Sequence, residues 1–248
     1  MERQPYRFSE LFTGNWQLFE KAVRSPETVF VYDIDGILAN SPKVVLKRFT
    51  EKTGLATNPT EINEWNYLTN IAKKGGLGKE FIKDVETDWY EPDILKLSQK
   101  YLYITPAVEK TLKYYGPDRN FALTARDPVF KESTIDWFSR QVPEFKSENI
   151  FIRKDKKISS AVFKSGNLAS LAKAAPWVVY VDDSIEFTKA ALDADIKNCL
   201  VVNIPLGKIM PDFRHERQFI IKRYPDELQA VYPFMDALDR ALRNGKSP

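Results

Sequence analysis

The run Val29-Phe30-Val31-Tyr32-Asp33-Ile34-Asp35-Gly36 joins four β-branched or aromatic residues to two carboxylates separated by a single residue. Such a run predicts a buried strand, and Gly36 marks the point where the backbone turns sharply out of it. Two acids at the C-terminal edge of a strand repel each other and are costly to bury unless a cation or phosphate chemistry employs them. Asp33 and Asp35 are therefore the first candidates for a site. A bare D-x-D-G arises by accident in roughly one chain in twenty of this length, so the rest of the sequence must decide. A calcium loop of the EF-hand type is excluded, because the glycine comes two residues too early and Val44 stands where the bidentate Glu belongs.

Working outward, the chain of 248 residues, 43% hydrophobic and 13% aromatic, is long enough for one α/β core and a smaller inserted piece. The sequence places a helix over Trp16 to Val23, broken by Ser25-Pro26 before the strand at Thr28 to Tyr32. From Ser41 to about Tyr103 it turns helical and irregular, with helices expected at Pro42 to Glu51, Thr60 to Leu68, Gly78 to Val85 and Pro92 to Gln99. Strand signals then alternate with helices: Phe121 to Thr124, helix Val129 to Arg140, Ile150 to Ile152, helix Gly166 to Ala174, Trp177 to Val181, helix Ile185 to Asp193, Cys199 to Asn203, and a last helix over Asp226 to Leu242. Alternation of this kind predicts a parallel sheet with helices on both faces. The expected organisation is a first core part at 1–40, a helical insertion at 41–103 and a second core part at 104–248.

Three of these strands end in chemically matched polar residues: Asp33 and Asp35 after the first, Thr124-Ala125-Arg126 after the second, and Asp182-Asp183-Ser184 after the fourth. In an open α/β sheet the ligand crevice lies outside the carboxyl ends of the strands, where strand order reverses. With the first strand central, all three ends share one crevice. It then holds four carboxylates, a hydroxyl donor and helix N-termini, a set suited to a divalent cation and an anionic ligand.

On these residues the chain resembles the haloacid dehalogenase-like superfamily of phosphohydrolases, from Thr28 to about Val202. The four motifs of that family occur in order: D-x-D at Asp33 and Asp35, Thr124 after the second strand, a lysine near the start of a helix, and paired acids at Asp182-Asp183. The resemblance implies a Rossmann-like three-layer core with a central parallel sheet, a small α-helical cap at 41–103, Mg²⁺ dependence, and hydrolysis of a small phosphate monoester through an aspartyl-phosphate. It assigns Asp33 as nucleophile and Asp35 as the acid and base serving the leaving alcohol and then water, a role that requires an elevated pKa. Thr124 and Ala125 would contact phosphate oxygens and Arg126 would add a charged contact, unless Arg126 forms a salt bridge with a neighbour such as Asp127. The motif lysine is Lys164 or Lys157; Lys164 is preferred because a helix start at Ser165-Gly166-Asn167 leads into the Asp182-Asp183 strand. Metal ligands would be Asp33, the Asp35 carbonyl and Asp183, with Asp182 orienting the lysine or serving a metal-bound water. Phe187 departs from the family, standing where many relatives carry an acid that Glu186 or Asp182 would then supply.

Other signals carry less. Lys74-Gly75-Gly76-Leu77-Gly78-Lys79 lacks the spacing and the Ser/Thr of a phosphate loop, and His215 has no histidine or cysteine partner in the sequence. Cys199 lies in an apolar run and reads as a buried structural thiol. Trp65, Tyr67, Trp89 and Tyr90 either pack the cap or contact the leaving group. With 37 basic and 34 acidic residues there is no dedicated nucleic-acid surface, and no apolar stretch long enough to span a membrane; together with a polar N-terminus this predicts a cytoplasmic protein whose partner is a small phosphate ester. A receiver domain is disfavoured because its acid pair lies on the first strand, and the non-enzymatic rival is a phosphate- or metal-binding module on the same fold. A nucleotidase and a phosphoglycolate phosphatase both remain open as the branch resembled.

Overall fold

The computed structural model describes residues 12–58, 61–62, 66–88, 91–101, 104–207, 211–221 and 232–243. Its centre is a seven-stranded sheet built from β1 (Phe12–Thr13), β2 (Val29–Tyr32), β3 (Asn120–Thr124), β4 (Ile150–Ile152), β5 (Val178–Asp182), β6 (Cys199–Asn203) and β7 (Gln218–Ile221). The order is β1-β7-β6-β5-β2-β3-β4, parallel throughout except for β1, which runs antiparallel to β7. The chain builds from β2 outward to β3 and β4, then returns to the other side of β2 for β5, so the order reverses beside β2.

The pleat decides what each face carries. Phe30 and Tyr32 enter one apolar layer, covered by α1 (Trp16–Arg24), α6 (Thr105–Tyr115), α7 (Lys131–Gln141) and α10 (Tyr232–Arg243) through Phe19, Ala107, Trp137 and Phe234. Val29, Val31, Val178 and Tyr180 enter the other, covered by α8 (Ser160–Ala174) and α9 (Ile185–Asp193) through Leu168 and Ala191. The register of β2 against β5 pairs Val31 with Tyr180 and Tyr32 with Val181, which brings the acids beyond both strands to one level. Cys199 is buried in β6, where the apolar surroundings push its thiol up to about 12 and leave it inert.

Between β2 and α6 come α2 (Ser41–Thr53), α3 (Tyr67–Lys74), α4 (Lys79–Asp88) and α5 (Pro92–Leu97). Val45, Leu46 and Phe49 of α2, Leu68 and Ala72 of α3 and Ile94 of α5 form their own apolar cluster, which closes on Leu206 beyond β6 and on Ile185 of α9. This layer is thereby seated over the carboxyl end of the sheet. Its two connections run side by side: Asn40 N–H donates to Gln99 O at 3.0 Å and Tyr101 N–H to Leu38 O at 2.7 Å.

Several elements differ from expectation. The helix expected at Thr60 to Leu68 begins at Tyr67, and α6 was not anticipated. Helix α8 begins six residues before Gly166, because the Ser159 hydroxyl caps it by accepting from Val162 N–H at 3.3 Å. Of the last helix expected from Asp226, the part up to 231 lies outside the described residues, and α10 runs from Tyr232.

Behind β2, the Tyr32 hydroxyl donates to Thr111 Oγ1 at 2.7 Å, and that hydroxyl donates to Asn120 Oδ1 at 2.7 Å, all fully buried. Tyr32→Phe is expected to lower unfolding free energy by about 1 kcal/mol. Urea denaturation measures it; an unchanged midpoint would show that the chain of hydroxyls contributes nothing.

Candidate active site

At the carboxyl ends of β2, β3 and β5, beneath α3, lies a cavity of about 560 Å³. Asp33, Asp35, Thr124, Ala125, Arg126, Lys164 and Asp183 all line it, so the central position of β2 brings these residues from three strand ends and one helix into one crevice. Asp182 lies just behind them.

Asp33 continues the alternation of Val29 and Val31 and so faces α8, as Asp182 does after Val178 and Tyr180. Lys164, in the second turn of α8, meets them there: its Nζ is 2.9 Å from Asp33 Oδ1 and 2.7 Å from Asp182 Oδ2, and the residue is only 1% exposed. Lys157 is exposed on the loop before α8. The Phe187 ring covers the ammonium with its centroid 4.3 Å from Nζ, a cation–π contact at the position where the resemblance would put an acid. Asp182 also accepts from the Tyr180 hydroxyl and, through Oδ1, from Ser184 N–H at 2.7 Å. With both oxygens engaged by protein donors, Asp182 is placed to orient the lysine, while its carboxylate also lies in the acidic group that could hold a metal ion. Tyr180 was not singled out in the sequence; its i, i+2 spacing from Asp182 on a buried strand was the available signal.

Asp35 departs from expectation most. Arg126 Nε and Nη2 donate to its two oxygens at 2.7 and 2.6 Å, a bidentate pair. Although burial works in the opposite direction, the guanidinium and a contribution from Ser41 hold the Asp35 carboxyl below its ordinary value, where an elevated one was expected. The partner of Arg126 is thus Asp35, while Asp127 caps the next turn through Val129 N–H at 3.1 Å and pairs with Lys156 at 3.1 Å. Thr124 Oγ1 accepts from Arg126 N–H at 3.3 Å and keeps its own proton to donate.

Carboxylate oxygens of Asp33, Asp182 and Asp183 lie within 4.8 Å of one another, all three buried. One ammonium cannot balance three such charges, and an oxygen-only donor set suits a hard cation such as Mg²⁺. The loop after β2 is shaped for the same purpose: Gly36 has φ +74°, and a Cβ there would overlap Asp183 Oδ2 and come within 2.9 Å of its Cγ. Only glycine lets this carboxylate lie against the β2 loop. Desolvation drives the Asp33 carboxyl up to about 7, opposed by Lys164 and reinforced by Asp182 and Asp35.

Of the remaining candidates, Glu186 is exposed on the cavity rim. The Tyr67 hydroxyl is tied to the backbone of Asn58, at 3.0 and 3.2 Å, and its ring packs in the cap cluster. Trp65, Trp89 and Tyr90 lie outside the described residues. His215 Nδ1 accepts from Arg217 N–H at 3.1 Å, away from the cavity.

No protein-family model and no curated protein matches the sequence. Among solved structures, the chain is similar to the protein tyrosine kinase A, PtkA, of Mycobacterium tuberculosis, with 14% identity over 87% of this chain and 99% of that one and a TM-score of 0.52. Further similarities are to a haloacid dehalogenase-like family hydrolase of Streptococcus pneumoniae (14% identity, 81% and 95% covered, TM-score 0.49) and to CbbY of Rhodobacter sphaeroides in complex with phosphate (15% identity, 86% and 99% covered, TM-score 0.48). At such identities the first similarity shows a shared fold and nothing finer. The fold is an α/β one with a mostly parallel central sheet flanked by helices, a helical insertion after β2, and Asp33, Asp35, Thr124 and Asp183 gathered with Lys164 at one sheet edge.

Folded Asp33 keeps its proton up to about pH 7, whereas an unfolded Asp loses it near about pH 4. The folded state thus binds the additional proton across that window, and stability conferred by this group falls as pH rises through it. Because a cation needs the ionised carboxylate, the rise in melting temperature on adding millimolar Mg²⁺ is expected to be larger near pH 8 than near pH 5. Calorimetry showing equal rises would contradict this. Gly36→Ala is expected to cost about 1–3 kcal/mol of stability and to reduce the Mg²⁺-induced shift in the same measurement.

Proposed function

We propose that the chain is a Mg²⁺-dependent phosphohydrolase that cleaves a small phosphate monoester through an aspartyl-phosphate on Asp33. The observation that supports it best is the placement of Asp33 on the floor of the crevice, 2.9 Å from a buried lysine and clustered with Asp183, with Thr124 and Arg126 also lining the crevice.

In this reading Asp33, the Asp35 carbonyl and Asp183 hold the cation, which when bound would neutralise phosphoryl oxygens and align the phosphorus with the nucleophile. An Asp33 oxygen attacks in line, the P–O bond to the alcohol breaks, and water later releases phosphate from the aspartyl ester. Lys164 balances charge on the phosphoryl oxygens without moving, since Asp182, Tyr180 and the Phe187 ring already fix its position. Thr124 donates its hydroxyl proton to a phosphoryl oxygen. An incoming phosphate competes for the Arg126 guanidinium; Asp35, released from it, takes a proton from the monoanionic ester and gives it to the leaving alcohol, and the carboxylate left behind then takes a proton from the attacking water.

The Arg126–Asp35 pair is also the one observation that favours the second reading, a module that binds phosphate and metal without turnover. Phosphate release from a panel of esters with and without Mg²⁺ separates the two. Turnover that chelation stops reversibly is expected; Mg²⁺-dependent phosphate binding without turnover would establish the module. Asp33→Asn is expected to reduce turnover on the order of 10⁴-fold while the melting temperature stays within a few degrees. Activity within tenfold of the parent would remove Asp33 from the nucleophile's role.

A further inference from the structure

The walls of the cavity beyond the phosphate end differ from its floor. Leu68 of α3, Phe130 before α7 and Leu206 beyond β6 provide apolar surface, and Asn66 and Thr69 of the cap provide uncharged hydrogen-bonding groups. Five carboxylates line the cavity against two cations, Lys164 and Arg126, among the described residues. Both cations are committed, Lys164 to Asp33 and Asp182 and Arg126 to Asp35. Asp127 is balanced by Lys156. Glu186 stands on the rim in the first turn of α9. A divalent cation and a monoanionic phosphate entering together add only one positive charge, so the field met by the leaving group stays negative.

Resting on the phosphohydrolase reading above, we propose that this cavity selects esters whose leaving alcohol is an uncharged hydroxylated ring with one apolar face, the class to which nucleosides belong, and that Glu186 excludes alcohols bearing a carboxylate. Size agrees with this. A cavity of about 560 Å³ falls in the range of roughly 300–1,000 Å³ that encloses ligands well beyond a two-carbon acid. An anionic leaving group would meet the like charge of Glu186 at the cavity mouth, which disfavours it relative to an uncharged one. An uncharged ring would lay its apolar face on Phe130 and Leu206 and turn its polar edge to Asn66 and Thr69.

The test compares kcat/KM with Mg²⁺ for a nucleoside monophosphate, 2-phosphoglycolate and p-nitrophenyl phosphate in the full chain, in Glu186→Lys and in the milder Glu186→Gln. The parent is expected to prefer the nucleoside monophosphate over 2-phosphoglycolate by tenfold or more. Glu186→Lys should shift that ratio at least tenfold towards 2-phosphoglycolate, and Glu186→Gln should shift it less in the same direction. A parent that cleaves 2-phosphoglycolate equally well, or a ratio that neither variant moves, overturns the charge selection and leaves the phosphohydrolase reading intact. No release from any ester overturns both.

Discussion

The Lys164 ammonium, held between Asp33 and Asp182, is the interaction on which the rest of the site depends. Three buried carboxylates within 4.8 Å would not tolerate one another without it. Its position comes from a remote cause: the Ser159 cap starts α8 early enough that Lys164 falls in the second turn, facing the same side of the sheet as the acids of β2 and β5. The lysine is thus tied to strands on both sides of the point where the order reverses. It is held from above by Phe187, and Tyr180 fixes its acceptor Asp182 from below.

That arrangement divides the crevice into two electrostatic pairs with different characters. Lys164, Asp33 and Asp182 are almost wholly removed from solvent, and the charge excess among them invites a hard cation. Arg126 and Asp35 lie nearer the opening, where the Asp35 side chain is 33% exposed. An anion can reach the second pair more easily than the first.

Much of this was legible in the sequence where a strong local pattern coincided with a chemical one. The run from Val29 to Tyr32 and the acids after it carried both, as did Tyr180 to Asp183, and the alternation of strands and helices between them set the parallel sheet. The edge strand Phe12–Thr13 escaped notice because two residues are too few to show a period, and β7 (Gln218–Ile221), which pairs with it, was missed as well. The start of α8 was misplaced because Gly166 reads as a boundary, whereas a glycine inside a helix is tolerated when a serine caps its beginning. Arg126 and Asp35 are 91 residues apart, and their pairing is a product of β2 lying beside β3 that no local spacing encodes. The cap helices were found as a class, yet α3 was placed too early.

The paired connections below the cap have a consequence for how this architecture can vary. Leu38 to Asn40 and Gln99 to Tyr101 are joined by backbone hydrogen bonds, and Trp137 Nε1–H anchors the second connection through Ser98 O at 2.8 Å. Everything between them is therefore a closed loop whose ends the main body already holds together. The entropy of closing such a loop rises only with the logarithm of its length. Residues can be added to or removed from its interior without moving β2, β3 or the acids at their ends. The acids at the sheet edge and the inserted helices are thus carried on separate stretches of the chain, linked in sequence only through this pair of connections.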